Sequence, residues 1–207
     1  MSGREAAHLA DPPADLDGFP VWHVLAGTTM HRVTRRADGP WWFASGPGRF
    51  DLPLPRGTCY LADDPVVALL EAFGGLLPGP TLAPADAASR VLWSLELPSQ
   101  CDAADTTARP ARRFGVTAEV ATITPYTVPR RWAAALAAAG HRGLRYRARH
   151  DPAGGRALAL FGAAGERKRW RKGHPQPVDD DLFAEAFGPT AVAPPPTIAD
   201  LPPLLDE

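Results

Sequence analysis

The sequence predicts an α/β domain of the α+β kind, a compact mixed sheet carrying short helices, and three stretches predict it. Thr58 to Phe73 joins a short strand to a capped helix. Val91 to Leu97 alternates apolar and polar residues with the period of a strand. Pro129 to Gly140 is an alanine-rich run bracketed by helix start and stop residues. Between them the order of strands and helices is irregular, without the β-α alternation of a doubly wound parallel sheet.

The first stretch organises the chain. Thr58, Tyr60 and Ala62 alternate with Cys59 and Leu61, a strand pattern rich in β-favouring side chains. Asp64 stands where an N-cap carboxylate accepts free backbone N–H groups, Pro65 suits the first helical position, and Gly74 follows as a stop. On a helical wheel Val66, Leu69, Leu70 and Phe73 form the core stripe. Glu71 lies on the other side with Val67, Ala68 and Ala72. Taken alone, that glutamate reads as solvent-exposed, but its neighbours are small enough to let another group approach.

Composition narrows the rest. A chain of 207 residues with 45% apolar content can bury one substantial core. The expected organisation is a loose lead-in over residues 1–17, one domain over 18–187 and a proline-rich tail over 188–207. A net charge of -1 argues against a generally basic nucleic-acid binder. The acidic, proline-containing start and the lack of a long apolar run predict a cytoplasmic protein without a membrane segment. Cys59 and Cys101 have no metal-ligand spacing and read as reduced core thiols, and His23, His31, His141, His150 and His174 show no metal pattern either. No metal site is expected.

In chain order, Phe19 to Leu25 reads as an edge strand or a packed lead-in, interrupted by Pro20. Thr29 to Thr34 alternates as a strand and sets Arg32 on the face of Met30 and Thr34, where a guanidinium needs an anion or a carboxylate. In WWFASGPGRFD, Arg49 follows a glycine-proline loop whose backbone could approach a ligand closely. Gly74 to Ser89 reads as a loop. Val91, Trp93, Leu95 and Leu97 form the core face of the next strand. Asp102 to Arg113 reads as polar and irregular, and Phe114 to Ile123 as a short extended segment. In the helix opened by Pro129, Trp132, Leu136 and Ala139 form the buried stripe. GLRYRARHDP reads as a strand running into a loop, and ALALFG as a strand with Leu158 and Leu160 facing the core. The basic run Glu166 to Lys172 could clamp single-stranded nucleic acid around Trp170, but its shortness favours a solvated turn. Asp179 to Phe187 predicts a short helix docking through Leu182, Phe183 and Phe187.

Four segments occur in an order that resembles the RES domain family: HRV at His31 to Val33, GRFD at Gly48 to Asp51, YLADDPVVALLE at Tyr60 to Glu71, and GLRYRARHDP followed by ALALFG. The likeness covers residues 20–165, and the YLA-to-glutamate segment is its most specific part. It implies a compact fold related to ADP-ribosyltransferases and a cleft that takes NAD as substrate, with no true cofactor. Characterised members are mostly bacterial toxins that destroy NAD by hydrolysis or phosphorolysis and are restrained by a partner antitoxin. Some relatives modify proteins instead. The family arginine falls on Arg32 and its glutamate on Glu71, while Tyr60 and Arg49 match two further positions.

Those residue types suit the chemistry that the resemblance implies. Cleaving the bond between nicotinamide and ribose builds oxocarbenium character on the sugar, which a fixed carboxylate such as Glu71 stabilises. Arg32 and Arg49 could hold the pyrophosphate with charge-assisted hydrogen bonds, and Tyr60 could stack on a ring and offer its hydroxyl to the ribose. One departure stands out. The family serine, usually in a YxSRHD-like segment, corresponds to Ala148 in Tyr146 to Asp151, and Ala157 replaces a polar residue of many relatives. Losing one hydroxyl would slow the reaction on the order of tenfold to a hundredfold if the site depended on it. Protein ADP-ribosylation and a catalytically silent nucleotide-binding or interaction module are the alternatives, and the oligomeric state is open to a homo-oligomer.

Overall fold

The computed structural model describes residues 9–35, 39–74 and 88–188. Eight strands form one sheet in the order β1-β6-β7-β8-β4-β2-β5-β10. They are β1 (Val21–Val24), β2 (Thr29–Arg35), β4 (Arg56–Ala62), β5 (Arg90–Glu96), β6 (Cys101–Asp105), β7 (Gly143–Arg147), β8 (Arg156–Ala163) and β10 (Pro175–Pro177). All neighbours pair antiparallel except β6 and β7, so the sheet is mixed as expected. A small second sheet joins β3 (Trp42–Phe43) to β9 (Gly165–Glu166). Among the described residues three α-helices accompany them: α1 (Pro65–Phe73), α2 (Thr127–Ala138) and α3 (Asp180–Phe187).

Alternation along the strands sends successive side chains into different cores. From β4, Cys59 and Leu61 join Met30, Trp93, Leu95 and Leu158 in one cluster. Tyr60 instead packs against a cluster built on α2, with Trp132, Leu136, Leu144 and Phe161. Ala62 meets Val67 and Ala68 of α1. Sheet residues on the second side therefore lie under α1 and α2, and the candidate site forms between them.

Helix α1 begins as the sequence indicates. Asp64 accepts from the N–H groups of Val66 and Val67 at 2.7 and 3.3 Å. Its buried residues differ from the expected stripe: Val67 and Ala68 are buried as well as Leu69, Leu70 and Phe73, while Val66 is only half-buried. The reason is that α1 is covered twice. The sheet takes Val67 and Ala68, and α3 takes Phe73, whose ring stands 5.7 Å from that of Phe183. The stop at Gly74 also has another basis. Gly74 has right-handed helical φ, and a Cβ there would come within 2.2 Å of the His150 ring. The glycine clears space for His150 rather than supplying a left-handed turn.

Other expectations change too. Asp102 to Arg113 contains β6 and a 3₁₀ turn at Arg109–Phe114, and the segment read as extended contains a 3₁₀ turn at Ala118–Ala121. Helix α2 starts two residues before Pro129. Proline is tolerated in that first turn because its missing N–H would have no intrahelical partner. Ala133 and Ala137 join Trp132 and Leu136 in the core, whereas Ala139 is exposed. Within residues 9–17, Leu9 and Leu16 are buried, and the Trp132 indole donates to the Ala10 carbonyl at 2.9 Å. The loop expected at Gly74 to Ser89 falls largely on residues 75–87, and the proline-rich tail on residues 189–207, both outside the described residues.

Candidate active site

The site arises from a fork in the sheet. β2 stays paired with β5 along its whole length and β4 with β8, but β2 and β4 share only His31 opposite Ala62. Beyond that pair the strands part. A cavity of about 340 Å³ opens there, walled by Arg32 and Tyr60 from the strands, Arg49 from the glycine loop, Glu71 from α1, and Tyr126 and Tyr146. The four residues singled out by the sequence, Arg32, Arg49, Tyr60 and Glu71, thus meet in one place.

Glu71 is half-buried rather than exposed. Its Oε1 accepts the Arg149 backbone N–H at 2.9 Å and the His150 N–H at 3.4 Å, and its Oε2 accepts the Tyr146 hydroxyl at 3.4 Å. Tyr146 is buried, and burial with the neighbouring Glu71 charge raises its pKa well above the ordinary value, so it remains a neutral donor. The loop after β7 therefore grips the carboxylate of α1 across a long sequence separation. That explains why the helix face carrying Glu71 bears only small side chains.

Arg49 is 9% exposed. Its Nη1 donates to the Ile123 carbonyl at 2.7 Å, and its guanidinium stacks 4.3 Å above the Tyr126 ring. Burial lowers its pKa below the ordinary arginine value. The glycine loop that presents it is tied down by Asp51, whose Oδ2 accepts from the N–H groups of Gly46 and Gly48, both at 2.9 Å. Asp51 Oδ1 accepts the Tyr60 hydroxyl at 2.7 Å, and the Tyr60 oxygen accepts the Phe50 N–H at 2.9 Å. The hydroxyl of Tyr60 is thereby committed to the protein. Its pKa is raised well above the ordinary value by burial and by Asp51.

Arg32 finds acceptors that the sequence did not suggest. Its Nη1 donates to the carbonyls of Pro40 at 2.5 Å and Trp42 at 3.0 Å and to Cys59 Sγ at 2.9 Å, so backbone oxygens take the place of the expected anion or carboxylate. Burial raises the Cys59 pKa, keeping the sulfur a neutral thiol. His31 also borders the cavity, with Nδ1 3.2 Å from Ser94 Oγ, and burial lowers its pKa against the opposing pull of Asp64 and Asp63.

Ala148 stands apart from these groups. It is buried against Ala62, Val67, Ala68 and Leu92 and does not line the cavity, whereas Ala157 does. Sequence reasoning missed Tyr126, Tyr146 and Asp51 as site-forming residues. Tyr146 heads the segment containing Ala148, and its place three residues before Arg149 was the available signal.

The basic run is folded back on the protein. Trp170 packs edge-on to Trp41 and Phe43 at 5.0 and 5.8 Å, Lys172 pairs with Glu166 at 2.6 Å, and Arg167 donates to the Ala163 carbonyl. Among the described residues no group of three or more His, Cys, Asp or Glu side chains could hold a metal, and no helix is long and apolar enough to cross a membrane.

A model of the RES domain matches residues 29–181, a span holding every residue of the cavity wall named above. The chain belongs to the RES domain family. Its fold is also that of a solved structure. This RES domain aligns with a chain of the crystal structure of the M. tuberculosis MbcT-MbcA toxin-antitoxin complex at a TM-score of 0.56 and 20% sequence identity, over 74% of this chain and 82% of that one. No curated protein matches the chain. In this RES domain Arg32 and Glu71 both border the fork.

Proposed function

We propose that the fork cavity binds NAD and cleaves its nicotinamide-ribose bond by hydrolysis or phosphorolysis, and that the protein acts as a toxin restrained by an antitoxin. The observation that carries this reading is Glu71, a carboxylate held by two backbone N–H groups and a tyrosine hydroxyl beside two arginines in one cavity. A volume of about 340 Å³ lies within the range of small-molecule sites. The solved toxin-antitoxin complex that shares the fold supports the biological role.

In this mechanism the bond between C1′ of the ribose and the nicotinamide nitrogen breaks, and nicotinamide leaves neutral with the electron pair. Positive charge gathers on C1′ and the ring oxygen. Glu71 stabilises that charge from a position fixed before the reaction, so no reorganisation is needed at the transition state. Both its oxygens are already hydrogen-bonded, which suits a stationary charge better than a group that carries protons. Water, which gives up a proton to the solvent, or phosphate then forms the new bond to C1′. Arg49, with one donor committed to Ile123, directs the rest of its fork to the pyrophosphate, and Arg32 adds positive charge from the strand side. Tyr60 offers its ring rather than its hydroxyl, which Asp51 already holds.

The test is incubation with NAD, with and without phosphate, following nicotinamide release and identifying ADP-ribose or its 1-phosphate. Release that Glu71→Gln abolishes supports the reading. No release, or release unchanged in Glu71→Gln, overturns it. Loss of cellular NAD and growth arrest on expression, both cancelled by Glu71→Gln, would support the toxin role. Ala148 and Ala157 favour a second reading, a nucleotide binder without turnover. NAD binding by calorimetry with no nicotinamide release would select it.

A further inference from the structure

The glycine loop that carries Arg49 is fastened from two directions. Asp51 and Tyr60 tie it to β4. From the other direction, the start of α2 and the segment before it reach the loop through Arg130, Ile123 and Tyr126. Arg130 Nε donates to the Gly48 carbonyl at 2.9 Å, the Ile123 carbonyl accepts from Arg49 Nη1 at 2.7 Å, and the Arg49 guanidinium carbon lies 4.3 Å from the centre of the Tyr126 ring. One short span of chain thus holds both an edge and a face of a guanidinium that lies 74 residues before Ile123. The span is itself anchored at both ends. The Ile123 N–H donates to the Glu119 carbonyl at 2.8 Å, and Tyr126, at the N-cap of α2, accepts the Arg130 N–H at 3.1 Å. An arginine side chain ordered in advance loses less freedom when it takes an anion. Burial of Arg49 adds to this, because attraction between a cation and an aromatic face strengthens where water is excluded.

We propose that Tyr126 is a positioning residue that, through Arg49, sets the affinity of the cavity for a nucleotide pyrophosphate. The inference rests on the reading that Arg49 takes the pyrophosphate of NAD. Neither the bond to Ile123 nor the contact with the Tyr126 ring uses the Nε and Nη2 edge of the guanidinium. That edge carries two parallel donors, spaced to meet two oxygens of one phosphate group. The ring fixes the plane in which they lie. The role therefore belongs to the aromatic face of Tyr126 and not to its hydroxyl, and it concerns a part of the substrate remote from the bond that breaks.

Calorimetry of the full chain with ADP-ribose, which keeps the pyrophosphate and has no nicotinamide bond to break, tests this alongside steady-state cleavage of NAD. Tyr126→Leu is expected to weaken ADP-ribose binding and to raise KM for NAD by about tenfold, with kcat changed by less than about threefold. Tyr126→Phe keeps the ring and should stay within about threefold of the parent protein in both measurements. Arg49→Gln should itself weaken ADP-ribose binding, and adding Tyr126→Leu to it should cause no further loss, whereas a general loosening of the domain would add to it. Should Tyr126→Leu fail to fold, Tyr126→Met is read in the same way. The calorimetry stands whether or not the chain cleaves NAD. Tyr126→Leu binding as tightly as the parent, Tyr126→Phe as weak as Tyr126→Leu, or losses that add in the double variant overturn the proposal and leave the pyrophosphate reading of Arg49 intact. No binding of ADP-ribose to the parent, or full binding by Arg49→Gln, overturns that reading and the proposal with it.

Discussion

The Tyr60 hydroxyl donates a 2.7 Å hydrogen bond to Asp51 and so ties strand β4 to the glycine loop that carries Arg49. Tyr60→Phe removes that bond and leaves the Phe50 N–H without its acceptor. The variant is expected to lose about 1–3 kcal/mol of stability in urea unfolding. If the proposed reaction is correct, the loosened loop raises KM for NAD more than it lowers kcat, because Arg49 binds the substrate away from the breaking bond. A larger effect on kcat than on KM would return the hydroxyl to a direct role.

Glu71→Gln and Tyr146→Phe should separate charge from placement. Glutamine keeps an acceptor for the Arg149 N–H but lacks the negative charge, and nicotinamide release should fall by about 10²–10³-fold with the fold intact. Tyr146→Phe leaves the charge and both backbone donors in place. Its loss should stay within about tenfold. Steady-state rates with circular dichroism as a fold control check both.

Ala148→Ser supplies the hydroxyl that the resemblance leads one to expect, but at a position packed against Ala62, Val67 and Ala68 rather than on the cavity wall. A hydroxyl there enters a small apolar cluster and should destabilise the protein by about 1–2 kcal/mol. We expect nicotinamide release to change by less than tenfold. A hundredfold gain would show that the hydroxyl reaches the reacting groups.

Gly74→Ala places a methyl group where the His150 ring now lies. His150 and Arg149 together supply the two N–H groups that hold Glu71, so the displaced loop should loosen the carboxylate. The variant is expected to lose both stability and activity. By contrast, helix propensity alone would predict a gain from Gly→Ala at a right-handed φ. Denaturation and rate measurements on the one variant decide between these signs.

At high pH the buried thiol of Cys101 should matter. Burial raises its pKa from an ordinary 9.0 to about 11. The folded state therefore holds a proton that the unfolded chain releases between those values. Stability from this group is complete below pH 9 and declines as pH rises through about 11, by roughly 2–3 kcal/mol in all. Denaturant unfolding from pH 8 to 11 should show the decline, and Cys101→Ala should flatten it.

Strong local signals in the sequence located the elements that build the site. Asp64, Pro65 and the alternation around Tyr60 marked the strand and helix correctly, and Val91 to Leu97 did so for β5. The short 3₁₀ turns were illegible because a single turn shows no periodicity. Val67 and Ala68 were assigned to an open face because a wheel describes one helix, whereas the cover over α1 comes from α3 and the sheet. The partners of Arg32 escaped for a related reason: backbone carbonyls are offered by every residue, and only the path of the chain through Pro40 and Trp42 selects these two. Glu71 stood out in the sequence, but the donors that hold it come from Tyr146, Arg149 and His150, whose approach depends on tertiary packing.

The single pairing of His31 with Ala62 makes the broad sheet mechanically two plates on one hinge. One plate is β10-β5-β2 and the other runs from β4 to β1, and each is laced internally by ladders of three or more residue pairs. Widening the gap between them would sacrifice little strand pairing, so the mouth of the cavity lies along the most compliant seam of the sheet. A molecule bridging Arg32 and Glu71 would act as a clasp across that seam.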